Sequence, residues 1–128
     1  RSTPALPATT PQQPATNHLP IVDEAIVKQL RDIGGQELVD SILDEFVVEA
    51  GEMVAEALAA FASGDIATVK SHLHTLKGSA ATIGVARVGE IARIGEGKLK
   101  TDDRSTLAED LQALDVAFRE FLASRPTP

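Results

Sequence analysis

Between residues 65 and 83 the apolar side chains Ile66, Val69, Leu73, Leu76, Ala80 and Ile83 recur at alternating steps of three and four. That spacing fits one stripe on an α-helix and is incompatible with the period of two that a half-buried strand requires. Asp65 stands where an N-cap is needed, and Gly84 supplies the left-handed residue that commonly ends a helix. The stripe therefore fixes which face of this segment is buried before any chemistry is considered.

The same period recurs along the chain. From Glu37 to Ala62, the positions Val39, Ile42, Leu43, Phe46, Met53, Val54, Ala57, Leu58 and Phe61 keep helical spacing, with acidic residues between them, and Ser63-Gly64 ends the run. Gly51 inside it costs roughly 1 kcal/mol relative to Ala and permits a local bend. Upstream, Asp23 can cap a short helix carrying Ile26, Val27, Leu30 and Ile33, which Gly34-Gly35 terminates. A helix over residues 87–99 is read from Val88, Ile91 and Ala92, although Gly89, Gly95 and Gly97 weaken it and leave tertiary packing to hold it. The last helix is expected to begin near Asp103 and to carry Leu107, Leu111, Leu114, Phe118, Phe121 and Leu122 before Pro126.

No stretch shows strand-like alternation, and the connections are short. The expected fold is all-α: an antiparallel up-down four-helix bundle over residues 19–124 with a short extra N-terminal helix. With no Trp, no Tyr and four Phe, the core must be aliphatic. Residues 1–18 read as a flexible Pro/Thr-rich linker, since five of the seven prolines fall before residue 21, and residues 125–128 read as a disordered tail. The start at Arg1-Ser2, without Met, points to a fragment of a longer polypeptide or to a scar left by expression cloning.

Composition narrows the function classes. A net charge of −7 disfavours nucleic acid and anionic membrane as partners, because both are bound by clustered Lys and Arg. A protein partner fits better. The absence of cysteine removes disulfide and thiolate chemistry, and neither a signal peptide nor an apolar run of membrane-spanning length is present, so a cytoplasmic setting is expected. Gly95-Glu96-Gly97-Lys98 lacks the spacing of a phosphate-cradling loop. Ser79 and His74 diverge by about 140° on a helix and have no third group to form a hydrolase triad. His72 and His74 diverge by about 200°, so no shared metal ion is expected.

His74 lies about 130° from the centre of the apolar stripe and should point to solvent, whereas His72, at about 70°, is a boundary residue. Lys70, Ser71, Lys77 and Gly78 are its helical neighbours at three and four residues' distance. An imidazole nitrogen is a competent nucleophile, the two lysines would attract a phosphoryl group, and Gly78 leaves space that a side chain would fill. Spacing alone favours a merely solvated helix face.

The run His74-Thr75-Leu76-Lys77-Gly78-Ser79, with Gly84 ten residues after the histidine, resembles the signature of the histidine phosphotransfer (HPt) domain of multistep two-component signalling. The resemblance in helix order covers residues 19–124. It implies that His74 accepts a phosphoryl group on Nε2 from a receiver-domain aspartate and passes it to another receiver, as a carrier and not as an enzyme. Lys77 and Gly78 match the motif's phosphate-attracting and clearance positions; Ser79 and Gly84 match its structural ones. In related domains a Gln or Glu of the next helix orients the imidazole, and Glu96 has the corresponding offset; as a bare residue it reads equally well as surface charge between two glycines. Ala67, Ser71 and Ala81 are implied receiver-docking positions. The resemblance places Mg²⁺ on the receiver, with no cofactor bound here, and implies a monomer without direct membrane contact. The implied parent is a hybrid sensor kinase, anchored in the inner membrane, with this module at its C-terminal end; a free-standing relay protein is the other source.

Two other readings compete. The dimerisation and phosphoacceptor domain of a conventional histidine kinase typically has an acidic residue after its histidine, where this chain has Thr75, and one chain here already supplies four helices. A passive helical interaction module would leave His74 without chemistry.

Overall fold

The computed structural model describes residues 19–125, and the expected linker 1–18 and residues 126–128 lie outside them. Four helices follow in order: α1 (Glu24–Ser63), α2 (Ile66–Ile83), α3 (Ala86–Lys100) and α4 (Leu107–Ser124), with no strand among the described residues. Each helix packs on the next and α4 returns to α1, which closes the four-helix bundle.

Two connections are almost as short as a helical chain can make. Gly64, with φ of 80°, ends α1, and the Asp65 carboxylate accepts from the Thr68 N–H to open α2. At the other end Gly84, with φ of 85°, donates its N–H to the Ala80 carbonyl and turns the chain into α3. Such tight links leave consecutive helices no choice but to run antiparallel.

The core is built from the expected stripes. Val69, Leu73, Leu76 and Ala80 of α2 are buried against Phe46, Ala50, Val54 and Ala57 of α1, Val88, Ile91 and Ala92 of α3, and Leu111, Leu114 and Phe121 of α4. Phe46 and Phe121 meet edge to face with centroids 5.7 Å apart, tying α1 to α4.

The extra N-terminal helix is present as the first part of α1, set off from the long helix by the non-helical residue Gly35, at φ 78° and ψ −177°. This is a region open only to glycine, so the kink falls on the residue pair that was expected to separate two helices. The segment before the kink folds over the α2–α3 turn, where the Asp23 N–H donates to the Gly84 carbonyl at 2.7 Å. Arg87 holds the same segment by donating to the Leu19 carbonyl while pairing with Glu120. Val27 is buried there, but Ile33, expected on the apolar face, is 77% exposed because the kink turns it outward.

The start of α4 also differs from expectation. The Asp103 carboxylate accepts from the backbone and hydroxyl of Ser105, closing a local turn instead of capping a helix, and α4 begins at Leu107. Lys98 then pins the connection by donating to Thr106 at 2.6 Å and pairing with Asp110. Arg125, assigned by sequence to the tail, pairs with Asp44 of α1 at 2.8 Å.

Candidate functional site

His74 stands near the middle of α2, held by buried Leu73 and Leu76 on either side, and its own side chain is 66% exposed. The outward direction inferred from the stripe is the direction observed. Nδ1 of His74 lies 2.7 Å from Oε2 of Glu96 on α3, while Oε1 of the same carboxylate accepts from Lys77 Nζ at 2.6 Å. A second cation, Lys100, reaches to 3.9 Å of Glu96.

Glu96 is no surface charge between glycines. Its side chain is only 4% exposed, and it is the buried charged residue of the described chain. The hydrogen bond from Lys77 holds its carboxyl below the usual carboxylate range, burial opposes that, and the hydrogen bond from His74 and the nearby Lys100 charge reinforce it. An ionised carboxylate has no proton to offer. The hydrogen between it and His74 must therefore sit on Nδ1, so in the neutral ring Nε2 carries the free lone pair. Nε2 points away from Glu96 and has no partner among the described residues.

Close helix packing sets this contact. A Cβ at Gly89 would come within 3.3 Å of Ala80 Cβ, and one at Gly95 within 3.1 Å of Leu73 Cδ1. Small residues at these crossings let α3 lie near enough to α2 for the Glu96 side chain to reach one turn's length of α2, from His74 to Lys77. The glycines that weaken α3 as an isolated helix thus serve its packing.

The remaining predicted residues divide into groups. Lys70 lies one turn before His74, half-buried, and makes no ion pair among the described residues. Ala67, Ser71 and Ala81 are exposed on α2, on the His74 side of the helix. Gly78 is exposed, and a Cβ there would meet nothing within 4 Å. Gly84 ends α2 as described. Ser79 is not beside His74; it lines a groove between α1 and α2 together with Ile42, Glu45, Phe46, Glu49, Gly78, Thr82 and Ile83. His72, on the same side as Ser79, pairs with Glu56 of α1 at 3.0 Å.

Sequence reasoning missed the bond between Lys77 and Glu96, the nearness of Lys100, and the groove. Lys100 is four residues after Glu96, a spacing that pairs charges on a helix and could have been noticed. No group of three or more His, Asp or Glu side chains is gathered as a metal site among the described residues, and none of the described helices is long and apolar enough to cross a membrane.

The all-α four-helix bundle is the architecture of histidine phosphotransfer domains. The chain belongs to the Hpt domain family, whose model matches residues 41–124. Among solved structures it is similar to histidine-containing phosphotransfer protein B (HptB) from Pseudomonas aeruginosa PAO1, with a TM-score of 0.71 and 18% identity over 84% of this chain and 99% of that one. At that identity the likeness speaks for the fold. No curated protein matches the chain.

Proposed function

We propose that His74 is the phosphoacceptor, taking a phosphoryl group from the phospho-aspartate of a receiver domain and passing it to an aspartate of another receiver. The observation that carries this reading is the held imidazole: Nδ1–H is committed to Glu96 at 2.7 Å, which leaves Nε2 outward and unprotonated in the neutral ring. Family membership supports a histidine phosphotransfer role in a phosphorelay.

In the forward step the Nε2 lone pair attacks phosphorus, the N–P bond forms, and the P–O bond to the receiver aspartate breaks with its electron pair leaving on the carboxylate. Nδ1 keeps its hydrogen, so the ring acquires positive charge as the bond forms. Glu96 is already in place to neutralise that charge without rearranging. Transfer onward is the same step reversed at a second receiver.

Lys77 donates to Glu96 in the resting domain, and one ammonium can bridge carboxylate and incoming phosphoryl oxygen. Lys70 supplies a cation without a carboxylate partner one turn away. Positioning and charge neutralisation are the main demands of phosphoryl transfer, and the metal belongs to the receiver in this reading. The domain acts as a carrier, as a monomer and on the cytoplasmic side, whether within a hybrid kinase or alone.

The test is the intact mass of wild type and His74→Gln after incubation with a phosphorylated, Mg²⁺-loaded receiver. One acid-labile phosphate on wild type only is the expected result. Uptake surviving the substitution would remove His74 from the role, and failure of a broad set of receivers to load a folded wild type would return the domain to a passive interaction module.

A further inference from the structure

Charge is segregated across the bundle. The exposed and half-exposed surface of α1 carries nine Asp and Glu against two Lys and Arg, whereas α2 carries two lysines and no carboxylate. The ridge of α2 that bears His74 is thus flanked on one side by Lys77, Glu96 and Lys100, and on the other by the groove against acidic α1.

That groove has an apolar floor of Ile42, Phe46 and Ile83, and Glu45 and Glu49 line it from α1. Both glutamates are exposed, and neither has a hydrogen bond or ion pair among the described residues. Other α1 carboxylates are engaged, Glu56 with His72 and Asp44 with Arg125. The wall opposite includes Gly78, one helical turn from His74, where no packing inside the domain requires the absence of a side chain. An apolar floor, an unpaired acidic rim and cleared backbone are continuous with the reacting nitrogen's face.

We infer that Glu45 and Glu49 are specificity-determining residues, and that the α1–α2 groove seats a receiver surface presenting an apolar side chain flanked by Lys or Arg. This rests on the phosphotransfer reading and adds to it how one receiver is chosen over another. Charges at the rim of an interface act mainly on the rate of productive encounter and on its salt dependence, while the apolar floor supplies contact area. A receiver with carboxylates at the matching position would meet repulsion at the same distance from His74 at which the correct one finds attraction.

The experiment compares wild type, Glu45→Lys/Glu49→Lys, and a control with the same charge change outside the groove, Glu37→Lys/Glu109→Lys. Each is loaded first with phosphoramidate, a small donor that needs no docking, and then mixed with the Mg²⁺-loaded receiver that exchanges phosphate with the wild type. Loading by phosphoramidate should be equal in all three. Transfer per unit receiver concentration should fall about tenfold or more in the groove variant, with a flattened or inverted salt dependence, and change less than about twofold in the control.

Equal transfer by the groove variant and wild type would overturn the groove assignment and leave His74 as the phosphoacceptor. A loss matched by the control would reduce the effect to overall charge and overturn it too. If the wild type formed a concentration-dependent dimer that the groove variant abolished, the groove would belong to a second copy of the chain. If phosphoramidate loaded no phosphate on His74 and no receiver did so, the phosphotransfer reading itself would fail.

Discussion

His74 and Glu96 are 22 residues apart in the chain, yet Nδ1 of one and Oε2 of the other are 2.7 Å apart across two helices. The contact joins an exposed side chain to the buried charge of the described residues. It converts a solvated helix residue into one with a defined tautomer and ring orientation, the two properties that a reversible nucleophile needs.

Replacement of His74 by Gln should abolish phosphate uptake and leave helicity and thermal unfolding nearly unchanged, since the side chain contributes no core packing. His72→Gln should be close to silent. Its partner Glu56 is exposed, and exposed ion pairs contribute about 0–1 kcal/mol. Mass spectrometry and thermal melts of both variants check the pair.

Glu96→Gln keeps an acceptor for the Nδ1–H but turns an amide donor toward Lys77 or Lys100. Phosphoramidate loading should slow by roughly tenfold or more, by analogy with the loss when the orienting partner of a metal-bound histidine is changed. Stability should drop by about 1 kcal/mol or somewhat more, at the low end for breaking a buried charged pair, because Lys77 can turn its ammonium to water. Loading rate and urea midpoint measured on the same samples separate the two effects.

The lowered Glu96 pKa has a definite consequence for stability against pH. The unfolded carboxyl titrates near about 4.3, and the folded one below it. The stabilisation is thus fully present above the unfolded value and is lost as pH falls through the folded value. The difference in urea midpoint between wild type and Glu96→Gln should shrink as pH falls below about 4, where Glu96 is protonated. A gap that kept widening below that pH would contradict the ionised, hydrogen-bonded carboxylate.

Two glycines should respond in opposite directions to alanine. Gly78→Ala adds a Cβ into open space within a helix and should stabilise the domain by up to about 1 kcal/mol, while slowing exchange with a receiver. Gly84→Ala forces a side chain onto a φ of 85° and within 3.1 Å of Ile26 Cβ and 3.2 Å of the Asp23 carbonyl, which should cost about 1–2 kcal/mol or more. Thermal unfolding of the two variants gives the signs directly.

Much of α2 was legible because its determinants are local. The Asp65 cap, the stripe from Val69 to Ala80 and the Gly84 terminus lie within one segment, and together they set the direction of His74. Glu96 was not legible from its own neighbourhood, since Gly95 and Gly97 beside it say nothing of the α2–α3 distance that Gly89 against Ala80 permits. For the same reason Lys77 was assigned to phosphate without its bond to Glu96. Gly34-Gly35 was legible as the end of a short first helix, since Gly35 is the non-helical residue between the two helical parts of α1; where that first part docks, against Gly84 through Asp23, was not, because the partner is half the chain away. Asp103 has the chemistry of a cap and caps a different turn, a choice fixed by Lys98 reaching Thr106 and Asp110.

Eight helical residues precede His74 in α2 and nine follow it. Fraying of a helix is concentrated in its end turns, so the backbone beneath the imidazole belongs to the part of α2 that opens last. On the phosphotransfer reading proposed above, His74 is then a post set in the middle of a helix, and what differs from one transfer to the next is the partner that arrives and its phosphorylation state.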